Sequence, residues 1–471
     1  MVVNTKVAIL GAGPGGYTAA FLAADLGMDV TLIDLEKNPG GVCLYKGCIP
    51  SKALLHIAKL LEETKHAKKW GIDFGEPQID IKKVKRFKDK VIAKLTGGTG
   101  QLVKQRKINY IQGRGQFINS TTIQVEKVDG TTEEVVFEKA ILATGSEPVR
   151  IPGLWIDSPN VIDSTGALEL NDVPEKMLVL GGGIIGLEMA TVYASLGSKV
   201  SVVEMMPQLI PGADLDLVSV LTRSLTPRLD KIMLNTKVLS VEETDEGIKV
   251  TFDGEKVKEK VQVFDKVLMS IGRRPVTKGL GIENTQIQID EKGFVIVDDQ
   301  LKTSDANIYA IGDLVGNPML AHKASAEGKV AVEHIAGHKV AFDHVVIPSV
   351  VYTDPELAWA GLTENEAAEK GINVEVQKFP WAASGRAVTM DRNDGMTKIL
   401  ADPETGRIMG MGLVGPGAGE MISEGALAIE MAALVKDVAL TIHPHPTISE
   451  TVMETAEMFF GQSTHIYKPK K

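Results

Sequence analysis

At 471 residues the chain is too long for one hydrophobic core and implies three or four domains. Hydrophobic residues at 44% and charged residues at 24% are ordinary for a globular protein, and a net charge of −10 without a long basic run argues against nucleic acid as the main partner. Two cysteines are too few for a secreted disulfide scaffold, and there is no run of about twenty uninterrupted apolar residues to predict a membrane span, so the cytoplasm is the expected compartment.

The N-terminal stretch MVVNTKVAILGAGPGGYTAAFLAA has some features of a leader peptide, but four glycines and a proline break it, and strand, turn and helix fit it better. KVAIL, residues 6–10, reads as a buried strand; GAGPGG and the helically spaced YTAAFLAADLG follow. In this GxGxxG pattern Gly11 lets the chain turn, Gly13 lets the backbone approach a pyrophosphate, and Gly16 lets helix and strand pack closely. The next strand, DVTLID, ends in Asp34, placed to bind a ribose hydroxyl.

GGVCLYKGCIPSK, residues 40–52, holds both cysteines, Cys43 and Cys48. A zinc site needs about four ligands, and the nearby His56 and His66 read as solvated helix residues. A structural disulfide closing so short a step would remove little chain entropy. Redox chemistry fits better. On an ideal helix positions i and i+5 lie roughly 8 Å apart, beyond the about 7 Å a disulfide tolerates, so the helix must distort, and strained disulfides are the easily reduced ones. A helix N-terminus also stabilises a thiolate, and Pro50 fits near such a start. A long helical segment rich in Lys and Glu is expected from about 52 to 105, then alternating strands with a VDG turn, then the strand KAILATG closing on Gly145.

The pattern then repeats. MLVLG leads into GGGIIG with Gly181, Gly183 and Gly186, and KVSVVE ends in Glu204. Gly11 to Asp34 and Gly181 to Glu204 both span 23 positions, so the chain is read as two complete dinucleotide folds. Met205 and Met206 follow Glu204, with no Arg to meet a 2′-phosphate, which favours NAD over NADP in the second; the first could hold FAD or a second NAD. Strands with an FDG turn and KVLMSIG, closing on Gly272, complete this half. TIHPHPTISE, residues 441–450, brackets two histidines with prolines and sets Glu450 five residues after His445; alone, an HPHP run more often marks a surface turn. The tail after Gly461, ending in KPKK, is expected to be a flexible solvated end.

GGVCLYKGCIPSKALLH resembles the active-site signature of the class I pyridine nucleotide-disulfide oxidoreductases, and the nucleotide and C-terminal motifs occur in that family's order along the whole chain. The resemblance implies an α/β fold with two Rossmann-like dinucleotide-binding domains plus a C-terminal α+β dimerisation domain: an FAD-binding domain over 1–150, an NAD-binding domain over 151–274, a central domain over 275–345 completing the FAD site, and a dimerisation or interface domain over 346–471. TSDANIYAIGDLVG, residues 303–316, resembles the second flavin-binding segment, which makes Asp313 a ribityl contact. Gly115, Ala321 and Lys52 match flavin-contact positions, and Val238 and Gly272 match coenzyme contacts. Lys52 is expected to pair with Glu188 beside the flavin and nicotinamide. The HPHPTISE match makes His445 the acid/base, Glu450 its orienter and His443 structural, with this segment serving the other subunit's disulfide in a homodimer. No resident metal is implied.

The lack of basic residues after Glu204 and of any cysteine beyond Cys48 sets the chain apart from the NADPH-dependent and mercuric-ion-reducing branches of the family. CIPSKALLH and HPHPTISE most resemble the branch that reoxidises dihydrolipoamide with NAD+ in 2-oxo acid dehydrogenase complexes, meeting lipoyl domains and an acyltransferase core in trans. In that scheme dihydrolipoamide gives a proton to His445 and attacks Cys43, while Cys48, nearer the flavin, passes electrons to FAD and on to NAD+. A purely scaffolding component is the competing expectation, and a protein without flavin colour would favour it.

Overall fold

A computed structural model describes residues 2–467, and the closing KPKK lies outside the described residues. The first sheet is built on Val2–Leu10, whose apolar second half is buried on both faces as a parallel strand requires. It pairs in parallel with Val30–Asp34 on one side and Thr132–Leu142 on the other. Asn109–Asn119 has two uses: residues 109–112 extend this parallel sheet, and 113–119 turn into an antiparallel meander with Thr122–Lys127. The second sheet is wholly parallel, in the order Lys231–Met233, Lys199–Val203, Lys176–Leu180, Lys266–Met269, Val161–Asp163. A three-stranded antiparallel unit over 237–264 flanks it, as the meander flanks the first.

Residues 275–345 form no sheet of their own. Ile308–Ala310 joins the first sheet beside Thr132–Leu142, and the helix Ala321–Ile335 packs on the first nucleotide helix, Pro14–Asp25. The approach is close because glycines face it: a Cβ on Gly328 would lie 2.7 Å from the carbonyl oxygen of Gly15. The C-terminal unit is a five-stranded antiparallel sheet, covered by Ala418–Glu430, Val435–Leu440 and Glu450–Met458. The α/β expectation with an α+β C-terminal unit therefore holds. No helix among the described residues is long and apolar enough to cross a membrane.

Two local expectations need correction. The segment 52–105 is not one helix. Cys48–His66 ends in a 3-10 turn, Ala67–Trp70, and a second helix, Ile81–Gln105, starts only after an irregular stretch. Gly71 and Gly75 adopt positive φ there, Pro77 follows, and Asp80 caps the second helix by accepting from Lys83 N. The tail after Gly461 is not free throughout, since hydrogen bonds to the buried Glu454 hold residues 463–465.

Three of the units meet in one buried cluster. Leu54 and Leu55 of the cysteine-bearing helix, Leu187 and Ala190 of the second nucleotide helix, and Val351 and Val414 of the C-terminal sheet belong to a single buried cluster. A charge cluster joins the second nucleotide unit to the C-terminal one. The fully buried Lys398 places Nζ 2.6 Å from Asp214 Oδ2, 3.0 Å from Asp216 Oδ1 and 2.6 Å from Glu364 Oε1. Lys378 adds contacts of 2.6 Å to Asp216 and 2.8 Å to Glu364. The three carboxylates are close enough to grip a cation, and these two ammonium groups occupy that role.

Candidate active site

The two glycine turns have the same geometry. Gly11 and Gly181 both sit at φ +102, a conformation that side-chain-bearing residues rarely adopt. A Cβ on Gly16 would lie 1.8 Å from Gly11 O, and one on Gly186 would lie 2.1 Å from Gly181 O, so neither position tolerates a side chain. The two acids also match. Asp34 accepts from Ala12 N at 2.6 Å and from Glu36 N at 2.8 Å; Glu204 accepts from Gly182 N at 2.7 Å and from Met206 N at 2.8 Å. Burial pushes the Asp34 carboxyl up, and the two N–H bonds oppose it. Each acid thereby ties its strand end to the glycine turn and retains lone pairs for a ribose hydroxyl.

These turns fit dinucleotides. The helices Pro14–Asp25 and Ile184–Ser195 have no side-chain cap at their N-termini, which leaves first-turn N–H groups for phosphate oxygens. A Cβ on Gly183 would meet nothing within 4 Å, and none on Gly13 would come nearer than 4.0 Å to Gly41 Cα, so the space before each helix is open. Gly272 and Gly145, at the ends of the closing strands, face open space as well. Ala321 opens a helix whose N-cap, Leu320, likewise makes no side-chain cap. The Cβ direction of Gly115 points instead into the core, 2.6 Å from Leu10 Cδ1, which leaves only its backbone for a ligand. Val238 lies buried in the strand Lys237–Thr244, against the core of the second nucleotide unit.

Asp313 accepts from Ser146 Oγ, which in turn accepts from Arg273 Nε at 2.8 Å. Burial lowers the Arg273 guanidinium, while Asp313 and Cys48 oppose that shift. Behind Asp313, Glu327 Oε2 accepts from Gly312 N at 2.6 Å, and its other oxygen pairs with the buried Lys323 at 2.6 Å.

The cysteine segment forms two helices, Gly41–Lys46 and Cys48–His66, broken at Gly47. The break supplies the distortion that the five-residue spacing demands. Cys48 is the first residue of its helix, and its side chain is hydrogen-bonded to that of Cys43. The hydrogen bond from Cys43, assisted by the Lys52 ammonium, lowers the Cys48 thiol to about 7. Cys43 moves the opposite way, pushed up first by that same bond and then by burial. Of the two sulfurs, Cys48 is the one whose surroundings favour the thiolate.

Lys52 Nζ donates to both oxygens of Glu188 at 2.9 Å. Glu188 is only 3% exposed, so it is not a surface helix charge. It also accepts from Tyr352 N at 3.2 Å, and Lys52 Nζ sits 4.4 Å from the centre of the Tyr352 ring. Three units of the chain therefore meet at this ion pair. Arg273 and Tyr352 were not singled out by the sequence patterns. The paired arginines after Gly272 were the one available signal for the first, and nothing local marks the second.

The other half of the expected chemistry lies elsewhere on the chain. His445 Nδ1 is 2.8 Å from Glu450 Oε1, and Glu450 Oε2 accepts from Thr447 N at 2.7 Å. The His445 side chain is 72% exposed, which leaves Nε2 to the surroundings. His443 uses both ring nitrogens internally, at 2.9 Å from Thr441 O and 2.8 Å from Glu424 Oε1, and the Glu424 contact raises it. Among the described residues no hydrogen bond or ion pair joins the segment 441–450 to the cysteine helices.

The chain resembles known proteins over nearly its whole length. Residues 5–328 match the family model described as pyridine nucleotide-disulphide oxidoreductase, and residues 347–456 match that family's dimerisation domain. The chain is 51% identical to the dihydrolipoyl dehydrogenase of Vibrio cholerae over 468 residues, covering 99% of this chain and 98% of that one. It is 42% identical to that of Geobacillus stearothermophilus, covering 98% of each. Among solved structures, LpdA from Mycobacterium tuberculosis matches with a TM-score of 0.89 at 28% identity, covering 97% of this chain and 99% of that one. RclA, a HOCl-induced flavoprotein disulfide reductase from Escherichia coli, matches with a TM-score of 0.86 at 29% identity and the same coverage.

Proposed function

The chain belongs to the pyridine nucleotide-disulphide oxidoreductase family, and from that premise we infer that its activity is that of a dihydrolipoyl dehydrogenase, reoxidising protein-bound dihydrolipoamide with NAD+. The observation that carries this reading is the Cys43–Cys48 pair, set across the helix break at Gly47 and next to the Lys52–Glu188 ion pair, in a chain with two nucleotide turns of matching geometry. FAD in the first fold and NAD+ in the second supply the electron path, by which two electrons from the cysteine pair end as hydride on the nicotinamide.

The chain's own residues handle sulfur and protons. His445 takes the proton of a dihydrolipoamide thiol at Nε2, with Nδ1 held by Glu450. The resulting thiolate attacks Cys43 Sγ of the oxidised pair, and Cys48 leaves as thiolate, stabilised by Lys52 and the helix N-terminus. The second substrate sulfur then displaces Cys43 and closes the lipoamide disulfide. Cys43, which carries no proton in the disulfide, takes the proton of that second thiol as it leaves, in keeping with the upward push on its thiol, and His445 keeps the first proton. Glu188 orients Lys52; Asp313, the Gly115 backbone, Ala321 and Lys52 serve the flavin, and Glu204, Val238 and Gly272 serve the coenzyme.

The functional division is 1–150 for flavin, 151–274 for coenzyme, 275–345 for closing the flavin site and 346–471 for the interface. The working unit is a homodimer in which His445 serves the other subunit's disulfide. Two observations support it: the match to a dimerisation domain, and the exposed apolar side chains Leu440 and Ile442 just before His443 in sequence, the latter 95% exposed. Lipoyl domains and the acyltransferase core of a 2-oxo acid dehydrogenase complex are its partners, in the cytoplasm, where so cysteine-poor a chain keeps its pair available for turnover.

Coupled turnover tests the reading. Purified protein mixed with dihydrolipoamide and NAD+ should form NADH rapidly, with little NADPH from a parallel sample given NADP+. A yellow protein that oxidises NADH yet leaves dihydrolipoamide untouched would move the substrate to another disulfide or acceptor.

A further inference from the structure

The terminal helix Glu450–Met458 carries a second carboxylate that the scheme above does not use. Glu454 lies one turn beyond Glu450 and is 4% exposed. Its Oε2 accepts from Ser463 Oγ at 2.5 Å, Thr464 N at 3.0 Å and His465 N at 3.4 Å, and its Oε1 is 2.5 Å from His465 Nδ1. The chain turns at Gly461, doubles back, and wraps this one carboxylate in a hydroxyl, two amides and an imidazole. Burial works to raise the Glu454 carboxyl, but these bonds hold it below the ordinary carboxylate range, so it is a charged acceptor at neutral pH. Glu457, which faces the same cluster, has a buried Oε2 without a partner, and its carboxyl is pushed up by burial and by the Glu454 charge.

A nine-residue helix is marginal by itself and depends on tertiary anchors. Its inner face has one: Thr451 Oγ1 is 2.7 Å from Thr397 Oγ1, which accepts from Trp381 Nε1 at 2.9 Å. At its start, Glu450 holds Thr447 N and His445 Nδ1. At its middle the anchor is the Glu454 clasp, which ties back the chain that follows the helix.

We propose that Glu454 is a positioning residue, and that the clasp of residues 463–465 on it holds the terminal helix so that Glu450 keeps His445 in its working orientation. The proposal rests on the reading of His445 as the acid/base. With the clasp released, the last turn frays and the helix can rotate and shift on its Thr451 anchor. The Glu450 carboxylate then no longer meets His445 Nδ1 and Thr447 N together. The groups facing this assembly are His465 and Glu457 at the clasp, and Glu450, His443 and Glu424 at the histidine segment.

The test uses the flavin-loaded full-length protein, the variants Glu454→Ala and Glu454→Gln, and a chain ending at Gln462. Glu454→Ala and the shortened chain should lose about ten- to hundredfold in kcat with dihydrolipoamide, the scale set by small misplacements of a reacting group. KM should change little, and reduction of the flavin by NADH should keep its rate. Glu454→Gln retains an acceptor oxygen for the tail and should recover most of kcat. Histidine-selective NMR should show the hydrogen-bonded Nδ1–H resonance of His445 weakened in step with kcat. Unchanged kcat and an unchanged His445 resonance in the shortened chain would overturn the proposal. So would an equal loss of both half-reactions, since that marks general destabilisation. If His445→Gln keeps dihydrolipoamide turnover, the acid/base reading fails instead, and the NMR signal still reports on the clasp.

Discussion

Lys52 and Glu188 form a two-point ion pair with both contacts at 2.9 Å, and it joins the helix that begins at Cys48 to the helix that begins at the second glycine turn. The Lys52 charge favours the Cys48 thiolate and the Glu188 charge opposes it. Replacing Glu188 with Gln leaves an acceptor for Tyr352 N and removes the opposing charge. The Cys48 thiolate should then persist to lower pH than in the parent protein. Alkylation rate of the reduced protein against pH measures this, and a midpoint that stayed put or rose would contradict the arrangement.

In the reduced parent protein, a small alkylating agent should modify Cys48 well ahead of Cys43. The rate should rise through a midpoint near 7, where the thiol lowered by its Cys43 hydrogen bond loses its proton. In Cys43→Ala that bond is gone and the midpoint should move up. Peptide mapping of the modified site makes the assignment, and preferential labelling of Cys43 would reverse the roles of the two sulfurs.

Glu204 fixes the second turn through Gly182 N and Met206 N and has lone pairs left for a ribose. Glu204→Ala should weaken NAD+ binding about ten- to a few hundredfold, the worth of one or two hydrogen bonds to a charged group. Flavin content should be unchanged. Asp34→Ala should do the reverse, and titration calorimetry with NAD+ alongside flavin absorbance separates the two. Equal loss of both ligands in either variant would undo the two-site assignment.

The backbone side of this site was legible because glycine spacing encodes a constraint every chain must obey locally. The turn at φ +102 and the close approach at Gly16 and Gly186 need no knowledge of distant residues. The His445–Glu450 contact was legible for the same reason, being five residues long. The break between 71 and 80 was also written in the sequence, as Gly71, Gly75 and Pro77, but Lys- and Glu-rich flanks suggested one continuous helix. Tyr352, Arg273 and the Glu454 clasp were hidden because each acquires its partner only when segments far apart in sequence, or a chain end folding back, come together.

Ile442→Asp should convert the dimer to monomer by placing a charge where a 95% exposed apolar side chain stands three residues before His445. Dihydrolipoamide turnover should be lost with the dimer, while Cys48 keeps its alkylation profile. Sedimentation and turnover measured together check this, and a fully active monomer would mean that His445 is not needed by a second subunit.

The buried Lys398 gives the second nucleotide unit a fixed address. Lys398 holds it to the C-terminal sheet through Asp214 and Asp216, and Lys52 holds it to the cysteine helix through Glu188. Swinging that unit outward would strand an ammonium and several carboxylates at once, a cost that buried ion pairs impose when only one partner leaves. The protein is therefore not a jaw that closes on its coenzyme. An arriving nucleotide is expected to meet a site already standing, and the Lys52–Glu188 link between the coenzyme unit and the cysteine helix stays assembled from one turnover to the next.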